Sequence, residues 1–146
     1  MLHFRTSLAF TLAMILMAAS ASARLPRAKD RWIEVASDNF TFFSNTGERA
    51  TRRIAADLEE LRAVLAGISD LEQNSPLPIH VYIFKNDASF TPYKMLYEGR
   101  PSASAGYFLQ RDQANYIAIN AGDPTDASGI VYHEFVHYYS STNLPH

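Results

Sequence analysis

The stretch "VYHEFVHYY", residues 131–139, sets two histidines four apart, with a glutamate directly after the first. In a helix, residues four apart differ by about 40° in azimuth, with Cβ atoms about 5–6 Å from each other, so both imidazoles leave from one face. Glu134 lies about 100° round from His133. Two imidazoles so placed can close on a single divalent cation, and zinc suits them because it accepts imidazole nitrogen and has little geometric preference of its own. Val131, Tyr132, Phe135, Val136 and Tyr139 make the rest of the segment apolar. This predicts a largely buried helix whose polar stripe opens on a cavity, a setting in which two histidines and a glutamate are costly unless paired or metal-bound.

His133 and His137 are therefore the candidate Zn2+ ligands, and Glu134 is the candidate catalytic base. Glu134 flanks the metal position without having to bind the ion. Its carboxylate can take a proton from a water whose pKa zinc has lowered towards about 7.

Upstream, "RWIEVASDNFTFFSN" offers two short extended pieces, near residues 32–35 and 40–44, parted by Ser37 and Asp38. A helix follows, with Asn45 as its predicted cap and Glu48 completing a box three residues on. Ile54, Leu58, Leu61, Leu65 and Ile68 recur at spacings of four and three and mark its apolar face. Glu48 and Arg52 form an i,i+4 pair on the exposed side. "IHVYIF" at 79–84 is apolar or aromatic on both faces and reads as a central strand covered on both sides, with His80 as a packed histidine.

Residues 86–101 read as a short helical or irregular crossing begun by Asn86 or Asp87, with Phe90, Tyr93 and Tyr97 assigned to packing. A hairpin is expected over 107–109 and 116–119, its turn at 110–114, and Asp123 or Asp126 caps the last helix. The order is extended, helix, strand, crossing, hairpin, helix: an α+β fold, a small mixed sheet with packed helices and a terminal site-bearing helix.

At the other end, Arg5 precedes the apolar run of residues 8–19 and then "SASAR". A positive n-region, a short h-region and an A-x-A site predict a secretory signal peptide over 1–23, cleaved after Ala23. The run falls short of the ~20 residues a membrane span needs, so no stable membrane anchor is expected after cleavage. The basic residues Arg24, Arg27, Lys29 and Arg31 then fall in a linker, 24–31, ahead of a domain over 32–146.

The chain is 47% hydrophobic and 12% aromatic, which excludes intrinsic disorder. Its formal charge of −2 argues against nucleic acid as a partner. It has no cysteine, so no disulfide holds it. A secreted or periplasmic bacterial location is expected.

A catalytic zinc needs a third protein ligand. "YYSSTNLPH", which follows His137, holds no Asp or Glu. Ser140 and Asn143 stand where one zincin class has a glycine and a third histidine, which excludes that class. His146 sits beyond Pro145 near a chain end, where catalytic ligands are seldom held.

On "HEFVH" (residues 133–137), preceded by a Trp-containing extended segment, a long helix, a hydrophobic strand and a hairpin, the chain resembles the gluzincins, and more narrowly the secreted bacterial peptidase-MA-like domains. The resemblance implies a zincin-like subdomain and a zinc metallopeptidase, with His133 and His137 as ligands and Glu134 as general base. It implies a peptide or protein substrate lying along an edge strand formed by Tyr116, Ile117, Ala118 and Ile119. It further implies a glutamate ligand from a segment after "NLPH", so the domain is expected to be incomplete at its C-terminal end and inactive as it stands. The alternatives are a non-catalytic exported zincin-like binding module without a full metal site, and a structural fragment whose histidines serve no metal.

Overall fold

The computed structural model describes residues 30–68, 77–122 and 126–143. The predicted signal peptide, residues 24–29 of the predicted linker, the candidate cap Asp123 and His146 lie outside the described residues. No helix among the described residues is long and apolar enough to cross a membrane.

The fold is α+β, in the expected order. Strand β1 (Ile33–Ala36) turns at Ser37 and pairs antiparallel with β2 (Thr41–Ser44). Helix α1 (Glu48–Ile68) leads to β3 (Ile79–Phe84), which lies parallel to β2. After the crossing, β6 (Gly106–Gln110) and β7 (Asn115–Asn120) form the expected hairpin, and β7 inserts parallel to β3. The sheet order is β1-β2-β3-β7-β6. Helix α3 (Ala127–Asn143) closes the described chain.

Alternation along the strands assigns the two faces. Phe42, Val81 and Ile117 sit in one cross-strand row, and with Ile83 and Ile119 they are fully buried under the helices. From α1, Ile54 and Leu58 are buried against them, and Leu61 and Leu65 pack alongside, as the helical spacing predicts. The other sheet face carries Phe43, His80, Tyr82, Tyr116 and Ala118.

Several expectations need correction. Asn45 does not cap α1. Its backbone still continues the sheet, donating its N–H to the Ile83 carbonyl at 3.2 Å, so it comes too early for the helical turn. Its side chain instead donates to Asp30 at 3.0 Å and accepts the Lys85 N–H at 2.7 Å. The helix starts after Gly47, at φ 106, a left-handed backbone that glycine adopts without a Cβ clash. The Gly47 carbonyl takes both the N–H and the hydroxyl of Thr51. The Glu48–Arg52 pair forms as expected, at 2.9 Å.

β3 is central, but among the described residues its second face is covered only at the Phe84 end, where Trp32 and the crossing's Phe90 and Tyr93 pack on it. His80 and Tyr82 are half-buried, and His80 is a packed histidine between Phe43 and Tyr116, with ring centroids 5.8 and 5.7 Å away.

The third correction concerns Tyr116, Ile117, Ala118 and Ile119. They are not an edge. β7 is hydrogen-bonded to β3 on one side and β6 on the other, and Ile117 and Ile119 are fully buried. The free edge belongs to β6, one strand further out.

The crossing is more ordered than its sequence suggests. Asn86 and Ser89 form a reciprocal capping box on α2 (Asp87–Phe90), and a 3-10 turn follows at Thr91–Tyr93. Two-residue strands β4 (Leu96–Tyr97) and β5 (Arg100–Pro101) then make a small hairpin, turned by Glu98 and Gly99 at positive φ. Phe90 is buried and Tyr93 packs 5.0 Å from Phe84, but Tyr97 is 73% exposed and takes no part in the core.

One carboxylate ties α1 to the β1–β2 turn. Glu59 accepts the Ser37 hydroxyl at 2.6 Å, the Asn39 N–H at 2.9 Å and the Asn39 side-chain amide at 2.7 Å. Burial pushes its carboxyl up, but these hydrogen bonds and Arg62 outweigh that and hold it below its ordinary 4.5. A carboxyl depressed by folding stabilises fully above its unfolded value and loses that contribution as pH falls through the lowered one. Glu59→Ala is expected to cost about 1–2 kcal/mol at neutral pH. Urea unfolding at pH 7 and at pH 3 checks it: the penalty should shrink at the lower pH.

Candidate metal centre

The azimuth of α3 follows from its apolar positions. Val131, Phe135 and Tyr138, spaced by four and three, are 0%, 2% and 4% exposed and face the sheet. Phe135 meets Phe40 edge-on at 5.5 Å, and Tyr138 meets Phe108 at 5.6 Å. The Ser128 hydroxyl donates to Asp57 at 2.7 Å and fastens the first turn of α3 to α1. His133 and His137 therefore leave on the opposite side and are exposed, as is Val136 at 45%. The expected burial of the whole helix is corrected accordingly: one face is buried, and the histidine face meets solvent.

The two rings converge. His133 Nε2 and His137 Nε2 are 3.0 Å apart, with ring planes at 85°. Two imidazole nitrogens on one tetrahedral zinc sit about 3.3 Å apart, given Zn–N distances near 2.0–2.1 Å. The pair thus fits two positions of a zinc site with a shift of a few tenths of an ångström. Among the described residues no group of three or more His, Cys, Asp or Glu side chains is arranged to hold a metal.

Glu134 is the buried member of the motif, at 9% exposure. It lies where α3 meets β6, in a cleft of about 330 Å³ lined by Ser104, Gly106, Asp126, Ile130 and His133 as well as itself. Burial raises its carboxyl above the usual range, against the opposing pull of His133, His137 and a hydrogen bond from the Phe108 backbone N–H. The carboxylate is thus anchored to the free-edge strand on one side and faces the imidazoles on the other.

Gly106 makes that contact possible. A Cβ there would stand 2.8 Å from Ile130 Cγ2, 3.1 Å from the Ala118 carbonyl and 3.2 Å from Glu134 Cγ. Neither Gly106 nor the Phe108 amide was singled out from sequence. A glycine opening a strand was the available signal, since it marks a close backbone approach. Comparison with protein-family models, with curated proteins and with solved structures returns no match.

Gly106→Val is expected to force β6 away from α3 and destabilise the fold by about 1–3 kcal/mol, the usual cost of overpacking. Denaturant midpoints of the two proteins measure it, and an unchanged midpoint would mean that the strand–helix contact is slack.

Proposed function

We propose that the protein is an exported zinc-dependent metallopeptidase of the gluzincin kind, with a third ligand contributed from outside the described residues. The observation that carries this reading is the 3.0 Å approach of His133 Nε2 to His137 Nε2 beside a buried, anchored Glu134. His133 and His137 hold the ion. When bound, zinc supplies Lewis acidity, polarising the scissile carbonyl and acidifying water. Glu134 accepts a proton from the attacking water and delivers it to the departing amine, roles open to a carboxylate held at a fixed distance from the reacting atoms. A peptide substrate aligns along β6, the free edge next to the cleft, rather than along the interior strand with Tyr116, Ile117, Ala118 and Ile119.

Metal binding is tested by equilibrium dialysis of the chain with zinc. His133→Ala and His137→Ala are each expected to weaken zinc at least about tenfold. Both side chains are exposed, so circular dichroism should not change. In the full-length protein, Glu134→Gln is expected to lower peptide hydrolysis by at least about 10²-fold while zinc stays bound. Hydrolysis at the parent rate would remove Glu134 from the mechanism.

The alternative reading is an exported zincin-like binding module without a full metal site. It predicts sub-stoichiometric zinc in the full-length protein and a Tm indifferent to chelator.

A further inference from the structure

Among the described residues, the sheet face turned away from α1 and α3 is covered at one end, where Phe90 packs on Phe84 and Tyr107 and Tyr93 packs on Phe84. Beyond that it forms a groove of about 660 Å³, within the range of small-molecule sites. The strand register explains the hollow. In the row Phe43–Tyr82–Ala118–Tyr107, three rings stand around one methyl group, so Ala118 becomes a floor. In the next row Tyr116 and Leu109 raise a wall. Trp32 closes the far side, set edge-on to Phe84 at 5.3 Å.

Two features narrow the occupant. Arg111, in the β6–β7 turn, is the charged residue of this lining. It donates to the neighbouring Gln110 carbonyl at 3.3 Å, and it forms no salt bridge among the described residues. Burial lifts the Tyr82, Tyr93 and Tyr107 phenols above their ordinary range, so the tyrosines are neutral at physiological pH. The lining therefore combines aromatic walls with one positive charge. Trp32 Nε1 and Tyr93 Oη, on two of its walls, also lack hydrogen-bond partners among the described residues.

We infer that this groove binds a small amphipathic carboxylate, its apolar body lying over Ala118 between Tyr82 and Tyr107 and its anion meeting Arg111. The inference does not rest on the metal reading, because His133, Glu134 and His137 line no part of the groove. The shared chemistry, an apolar group bearing a carboxylate, fits a free organic acid or the C-terminal end of a peptide.

Trp32 is the chain's single tryptophan, so its emission reports this groove directly. The full chain is titrated with 4-phenylbutyrate and with the neutral 4-phenylbutanamide, followed by Trp32 fluorescence. The acid is expected to give a saturable change at a Kd on the order of 0.1 mM, as befits so few ligand atoms. The amide should bind about tenfold more weakly. Arg111→Gln, in an exposed turn, should erase the preference for the acid and leave amide binding as it was. Ala118→Leu should abolish binding of both with an unchanged circular dichroism spectrum, and the Arg111 result stands by itself if that variant does not fold.

N-acetyl-glycyl-phenylalanine, run as its acid and its amide, separates the sources. Tighter binding of the peptide acid than of 4-phenylbutyrate assigns peptide ends, and the reverse order assigns free acids. No saturable change up to several millimolar, or an acid preference that survives Arg111→Gln, overturns the inference. So does a concentration-dependent dimer that Leu109→Lys disperses, since the face would then belong to a second copy.

Discussion

The candidate centre depends on the way α3 lies against the sheet. Burying Val131, Phe135 and Tyr138 is worth about 1.5–3 kcal/mol for each large apolar side chain. Leaving two imidazoles in water costs almost nothing by comparison. The apolar face therefore dictates the rotation of the helix, and the histidines go where that rotation sends them. Because they are four apart, they arrive together, with nitrogens 3.0 Å from each other. Glu134, next to Phe135 in sequence, falls at the margin between the buried and open faces. Its burial needs compensation, which the Phe108 amide and the neighbouring imidazoles supply.

Much of the fold was legible because most elements announce themselves by period. The four-and-three spacing of Ile54, Leu58, Leu61 and Leu65 marked α1, whereas α3 was marked by the His133–His137 spacing within an apolar run. The β6–β7 hairpin was visible as two apolar runs around a polar turn. What escaped was decided by pairing over distance. Nothing local in "NYIAIN" says that this strand enters between β3 and β6 and so is not an edge. Asn45 has the chemistry of a cap, yet Ile83, Lys85 and Asp30, all remote in sequence, claim its polar groups. The β4–β5 hairpin has only two residues per strand, too few for any alternation to show.

The site was legible to a similar depth. The residue types and their spacing were enough to nominate His133, Glu134 and His137, because a helix converts spacing into direction without outside help. Which of the three is buried was not readable from the run "VYHEFVHYY". That depends on what lies over each position: β6, brought in by the sheet, covers Glu134. Gly106 and the Phe108 amide belong to this second kind of information: one acts by lacking a side chain and the other through its backbone.

The two faces of the sheet are bound together by register. On β7, Ile117 and Ile119 point to the helices, and Tyr116 and Ala118 to the aromatic groove. A slip of β7 by one residue would exchange those sets. Tyr116 would enter the space under α3, and isoleucines would fill the hollow that Ala118 leaves open. Phe108 would also move, and its amide would no longer meet Glu134. The carboxylate and the groove are thus set by one alignment of β7 between its neighbours, although they share no side chain. The row Phe42–Val81–Ile117–Phe108 enforces that alignment, since it puts an apolar side chain from each of four strands towards the helices. A core built for stability therefore specifies at once which residues are left over on either face of the sheet.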